Sequence, residues 1–215
     1  MKIQVSVPVK DPRPDSTGIH YIDNSRGSTL SEKIKAQLEL DADWYIFRHE
    51  DLTIETPEMI PGQCDRMRMD GVGVAGVIGT RFMSETCAWW MHQRQVVTAG
   101  AIMQGDSKGG AYPMIEDPGY HNDLVSVDGA IMFFSRDFLE KFEPHNFGHF
   151  RFGYDLDACF QCLALGMKVA TVDVMCRHES QGKFDPNEFD SFRRKFLEYW
   201  KPHVDFPVIA CSRFK

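Results

Sequence analysis

Four short clusters hold the residue types that bind cations and move protons: Asp23-Asn24, His49-Glu50-Asp51, Tyr154-Asp155-Leu156-Asp157 and His178-Glu179-Ser180. Each follows an apolar run or opens a helical pattern, which is where open α/β sheets place their ligands, beyond the carboxyl ends of the strands. Taken singly, each has an ordinary role. Asp and Asn close turns, His-Glu-Asp makes a polar loop, and an Asp in the first turn of a helix caps it and faces its dipole. Taken together, carboxylates and histidines at equivalent strand ends make an oxygen-rich site for a divalent cation such as Mn2+ or Mg2+ holding a diphosphate.

The patterns around the clusters predict the elements that hold them. Ile3 to Val9 alternates apolar and polar residues at period two and predicts a strand, and Pro12 and Pro14 open a loop. Ile19 to Asp23 predicts a second strand that delivers the first cluster. Thr29-Leu30-Ser31-Glu32 is a capping box, and Leu30, Ile34 and Leu38 follow at helical spacing, so a helix is expected to about Leu40. Trp44-Tyr45-Ile46-Phe47 is a continuous apolar run, the mark of a strand buried on both faces, and it leads into the second cluster. Strand, helix, strand in this order implies a parallel unit.

Downstream, a helical or irregular stretch is expected at 59–69 and strands at 72–78, 95–103, 125–134 (interrupted at Asp128-Gly129) and 168–175. A short helix is expected at 136–142. A longer one runs from Asp155 to Gly166, with Leu156, Phe160 and Leu163 on one face, and a last one is capped by Asp185, with Phe189, Phe192, Phe196 and Trp200 on one face. Residues 105–121, rich in Gly and Pro, read as a mobile excursion, and 144–153 as a loop.

The chain of 215 residues is 43% hydrophobic and 26% charged, which predicts one α/β domain with a single sheet and its helical cover, and excludes a disordered or fibrous class. A net charge of −7 argues against a nucleic-acid binder, whose backbone contacts need a clustered basic face. No apolar window is long enough to span a bilayer and Met1-Lys2-Ile3-Gln4-Val5 is no signal core, so a cytoplasmic protein is expected. The six cysteines are scattered and read as reduced thiols; Cys159 and Cys162 form a C-x-x-C inside a helical pattern with no second pair nearby. Gly71 to Gly76 matches G-x-G-x-x-G, but it lies within a strand pattern instead of between strand and helix, so its glycines are read as allowing close approach of a neighbouring backbone.

Read in order, Val5-Ser-Val-Pro-Val9, Ile22-Asp-Asn-Ser25, Thr29 to Lys33, Trp44 to Asp51, Gly73 to Gly79, Val127 to Arg136, Tyr154 to Asp157 and Arg177 to Gly182 resemble the family 2-type glycosyltransferases of the GT-A fold. The similarity is to the branch described as glycosyltransferase-like or akin to the streptomycin-biosynthesis transferase, and it spans residues 19–184. The resemblance implies a mostly parallel central sheet flanked by helices. It also implies a metal-dependent, inverting transferase of the hexosyl or a related type, which passes a sugar from a nucleotide-diphosphate sugar to an acceptor hydroxyl. Asp23, with Asn24 beside it, would meet the base or ribose, and His49-Glu50-Asp51 would occupy the D-x-D position with Asp51 on the metal. Asp128-Gly129 would lie where donor sugar and acceptor meet, Asp155 would be the general base, and His178 would complete the metal shell. Trp89 and Trp90 would form an acceptor wall under the 105–121 lid, with Tyr154 and Asp157 near it; a buried core pair fits the two tryptophans equally. His49 and Tyr154 replace the family's usual acids.

Residues 10–18 are fewer than the dozen or so that a helical crossover takes. The amino end is therefore read as shortened. Either the first strand lies elsewhere, antiparallel at an edge, or the base pocket is rebuilt from other residues or a partner chain. The acceptor class stays open among a glycan, a small molecule and a modified nucleobase, as does a homo-oligomeric state. Two other functions fit the altered motifs: a GT-A-like module that binds nucleotide or glycan without turnover, and a metal-dependent nucleotide-sugar hydrolase.

Overall fold

The computed structural model describes residues 1–9, 18–23, 28–92, 97–105, 110–147, 152–179, 185–209 and 212–214. In chain order these form β1 (Ile3–Val9), β2 (Ile19–Asp23), α1 (Leu30–Ala36), β3 (Trp44–Arg48), β4 (Leu52–Ile54), α2 (Ile60–Asp70), β5 (Val72–Gly76), β6 (Ile78–Thr80), β7 (Phe82–Met83), β8 (Thr98–Gly105), β9 (Ala111–Glu116), β10 (Ser126–Val127), β11 (Ile131–Ser135), α3 (Arg136–Leu139), α4 (Tyr154–Ala164), β12 (Lys168–Thr171), β13 (Cys176–His178), α5 (Pro186–Trp200) and β14 (Val208–Ile209).

The fold is mixed α/β, but it holds two large sheets where the chain length predicts one. The first has the order β12-β5-β11-β3-β1-β2, and the second β10-β6-β8-β13-β4 with β9 also on β8; β14 and β7 form a small pair. In the first sheet β11 alone runs against its neighbours, and the other pairings are parallel. The expected strand at 72–78 is two strands, β5 and β6, in different sheets, and so is that at 125–134, as β10 and β11. The chain thus passes between the sheets at 49–51, at 55–71 through α2, at Val77, at 128–130 and at 172–175. The strand expected to reach Met175 stops at Thr171 for the same reason.

Side-chain alternation explains why the first sheet is buried on both faces. Trp44, Ile46, Ile131 and Phe133 face one cluster that includes Phe192, Phe196 and Trp200 of α5. Tyr45, Phe47, Met132 and Phe134 face another with Ile34 of α1 and Phe138 of α3. Each fully buried side chain of this kind contributes about 2 kcal/mol, so the continuous apolar runs of β3 and β11 are what the middle of such a sheet needs.

Two further expectations change. β1 is neither antiparallel nor at an edge: it lies between β3 and β2 and is parallel to both, so β2, α1 and β3 form the expected parallel unit with β1 inserted between its strands. The excursion at 105–121 contains a regular strand: β9 pairs antiparallel with β8 from Gly100↔Glu116 to Gly105↔Ala111, while 106–109 fall outside the described residues. Pro113 misleads because proline breaks central strands, yet an edge strand accommodates it.

The capping box of α1 and the N-cap of α5 form as read: the Thr29 hydroxyl accepts from Glu32 N–H, and the Asp185 carboxylate accepts from Asn187 and Glu188 N–H. Gly71 ends α2 in the left-handed region (φ 73) instead of cradling a phosphate, and a Cβ on Gly73 would lie 2.7 Å from Cys162 Sγ. The close neighbour at Gly73 is therefore a side chain, whereas at Gly76 the Ile131 carbonyl oxygen, 3.2 Å from where a Cβ would lie, stands beside the Val127 side chain. Among the described residues the cysteines are free and buried, and no helix is long and apolar enough to cross a membrane.

Candidate active site

The carboxyl ends of β1, β2, β3 and β5 lie along one edge of the first sheet, and antiparallel β11 begins there, with Ile131 opposite Arg48. His49, Glu50 and Asp51 form the link from β3 into β4 of the second sheet. In that sheet β13 pairs with both β4 and β8, so His178 falls opposite Leu52 and opposite Gln104. The seam between the sheets therefore brings the second and fourth clusters together, and ligand atoms of His49, Asp51 and His178 lie within 4.8 Å of one another.

Hydrogen bonds set which ring nitrogens face this point. Tyr154 Oη donates to the Gly129 carbonyl at 2.7 Å, and a carbonyl can only accept. The same hydroxyl oxygen lies 2.9 Å from His49 Nε2, so that nitrogen carries the proton and His49 Nδ1 carries a lone pair. Burial lowers the His49 pKa, which keeps the ring neutral, and the neighbouring His178 lowers it further against the pull of Asp128 and Asp51. His178 Nδ1 lies 3.3 Å from Gln104 Oε1, and its Nε2 lies 3.4 Å from His49 Nδ1 and 3.3 Å from Asp51 Oδ1. Two ring nitrogens and a carboxylate oxygen thus converge on one point. Such a donor set fits a divalent cation, and the outer nitrogen of each imidazole has a polar neighbour, as in metal-ligating histidines generally.

Asp155 stands in the first turn of α4, beside Tyr154, and its Oδ1 accepts from Leu156 N–H at 2.9 Å. Burial, reinforced by the nearby Asp128 carboxylate, raises its pKa to about 7 against the lowering effect of backbone N–H groups. Asp128 holds the 128–130 turn through a bond from Ala130 N–H at 2.8 Å, and His49 N–H reaches Ala130 O at 2.8 Å, so this turn is fastened to the end of β3.

The remaining sequence candidates are placed variously. Asp23 ends β2 opposite Val9, level with the 49–50 link by register and two strands from it, a span of about 10 Å. Asn24 lies outside the described residues. Glu50 is exposed and is not among the three residues that converge there. Gly129 is buried, and a Cβ there would stand 2.3 Å from Tyr154 Oη. Tyr154 is 6% exposed, and Trp89 is buried in the core at 4%, whereas Trp90 is 39% exposed and packs near Phe189 with ring centroids 5.5 Å apart. The aromatic pair is thus divided between core and surface. Asp157 is fully buried and accepts from His145 Nδ1 and Gln161 Nε2, each at 2.9 Å, so its carboxylate is engaged away from the cluster. Sequence reading missed Gln104 and the contact of Tyr154 with His49, because neither partner lies near the other along the chain.

A profile of the family described as "Glycosyltransferase like family" matches residues 13–200. No curated protein matches the chain. Among solved structures, GalNAc-T7 with UDP, GalNAc and Mn2+ aligns at a TM-score of 0.55 and 10% identity, over 86% of this chain and 38% of that one. A197 from STIV aligns at a TM-score of 0.46 and 14% identity, over 86% of this chain and 87% of that one. CMP:2-keto-3-deoxy-manno-octonic acid synthetase complexed with CTP aligns at 0.40 and 13%, over 93% and 100%. This chain therefore spans well under half the length of the GalNAc-T7 structure whose fold it shares.

Proposed function

We propose that this chain, which belongs to the glycosyltransferase-like family, moves a sugar from a nucleotide-diphosphate sugar to an acceptor hydroxyl with inversion at the anomeric carbon. His49, Asp51 and His178 hold a divalent cation, and Asp155 is the base. The observation that carries this reading is the convergence of His49 Nδ1, Asp51 Oδ1 and His178 Nε2 on one point of the sheet edge. The cation, when bound, supplies positive charge to the departing diphosphate. Two imidazoles with one carboxylate suit Mn2+ better than Mg2+, which favours all-oxygen sets, and Mn2+ is the ion named with GalNAc-T7.

The chain's own residues do the rest. Asp23, at the far end of the same edge, meets the ribose or base, and the Asp128-Gly129 turn lies against the donor sugar. Asp155 takes the proton of the acceptor hydroxyl as the new carbon–oxygen bond forms and the bond to the diphosphate breaks. A base with a pKa near 7 is poised for this at neutral pH. Attack from the side opposite the leaving group inverts the centre. Trp90 offers a flat exposed face for the acceptor.

The test is a thermal-shift screen of nucleotide-sugars with and without Mn2+, followed by product analysis with glycan, small-molecule and modified-nucleobase acceptors. A Mn2+-dependent shift and acceptor-dependent donor consumption are expected. Binding without consumption would establish a binding module instead, and consumption without acceptor a hydrolase; no shift with any donor overturns all three.

A further inference from the structure

We infer that Tyr154 is a positioning residue of the metal site, whose hydroxyl fixes the tautomer and ring angle of His49. The inference rests on the metal-site reading above and goes beyond it, because it assigns a role to a side chain outside the three proposed ligands.

The Tyr154 ring is buried and meets Phe47 of β3 edge-on, with centroids 5.9 Å apart and planes at 64°. Phe47 precedes His49 by two residues, so the strand that carries the ligand also holds the ring that orients it. The hydroxyl is enclosed between two partners, the Gly129 carbonyl at 2.7 Å and His49 Nε2 at 2.9 Å. Its single proton goes to the carbonyl, so toward His49 it can only accept. That asymmetry places the imidazole proton on Nε2 and the lone pair on Nδ1, the nitrogen that faces His178 and Asp51. Gly129 completes the arrangement, since a Cβ there would stand 2.3 Å from the hydroxyl and displace it. A hydrogen-bond acceptor behind a ligating histidine raises its basicity and fixes its direction, and removing one weakens metal binding about 10- to 100-fold. The next residue in the chain is Asp155, so one helical turn both steadies a metal ligand and carries the base.

Two measurements on the full chain test this. Long-range proton–nitrogen NMR of the unsubstituted, metal-free protein, above the imidazole titration range, reads the tautomer of His49 directly. The expected result is a proton on Nε2, and a proton on Nδ1 overturns the inference without any variant. Tyr154→Phe keeps the ring and its contact with Phe47 but removes the hydroxyl. Titration of free Mn2+ by electron paramagnetic resonance should show affinity reduced about tenfold or more, with the His49 tautomer no longer uniform. Unchanged affinity in Tyr154→Phe overturns the role of Tyr154 alone. Absence of Mn2+ binding by the unsubstituted chain overturns the metal-site reading and this inference with it.

Discussion

Asp155 shows how opposed local forces set one residue's chemistry. A carboxylate in the first turn of a helix, bonded to a backbone N–H, is ordinarily held low by the dipole and the donor. Here burial comes first and the Asp128 carboxylate second, and together they raise it to about 7. Two consequences can be measured. Transfer should rise as pH passes through about 7, because only the ionised form accepts a proton, and Asp155→Asn should abolish transfer while preserving the Mn2+-dependent donor shift. Stability should move the other way. The folded pKa lies above the usual carboxylate value of 3.8, so the native state binds the extra proton between the two values and loses stability as pH rises across that window. Denaturant titrations at a series of pH values should show this slope in the parent and not in Asp155→Asn; equal slopes would remove Asp155 as its source. The position of Asp155 at a helix start was legible from the sequence, but its pKa was not, because Asp128 comes from a separate turn.

At the scale of elements, helix starts differ in how far they can be read. Thr29 and Asp185 announce α1 and α5 through side-chain caps whose partners lie within three residues. α4 begins without a side-chain cap: Gly153 sits at φ 88, and a Cβ there would come within 2.1 Å of Phe192 Cε2 on α5. Gly153→Ala therefore meets both a disfavoured backbone region and a ring of another helix. It should destabilise the fold by about 2 kcal/mol or more, read as a lower urea midpoint, and it should also impair transfer because Tyr154 and Asp155 follow directly. A wild-type midpoint would show that α5 yields freely to α4. β9 is the converse case, a strand whose proline and flanking glycines conceal it, since edge pairing with β8 was decided by a partner and not by its own pattern.

For the whole molecule, the decisive feature is the seam where the chain passes between two sheets. His49 and Asp51 lie on one crossing and His178 at the end of β13, so a cation held there would tie the first sheet to the second. Mn2+ at 100 times its dissociation constant should add about 2.7 kcal/mol of stability, seen as a higher melting temperature. His178→Ala and Asp51→Ala should each remove most of that shift; a shift that survives both would place the ion elsewhere. The crossings also account for the two-sheet architecture, since apolar runs that read as single strands at 72–78 and 125–134 bend at Val77 and at 128–130 and change sheets.

The sequence by itself determined the α/β class, the capped helices, the doubly buried middle strand and the four polar clusters. Each of these is written in the spacing of residues a few positions apart, through hydrophobic period and short-range hydrogen bonds. Tertiary structure alone decided that His49, Asp51 and His178 share a point, that Gln104 and Tyr154 lie against the two imidazoles, that Asp157 is buried against His145, and that only Trp90 of the tryptophan pair is exposed. Those facts depend on which strands pair across long stretches of chain, and pairing is settled by how two buried faces fit together, a property no local window contains.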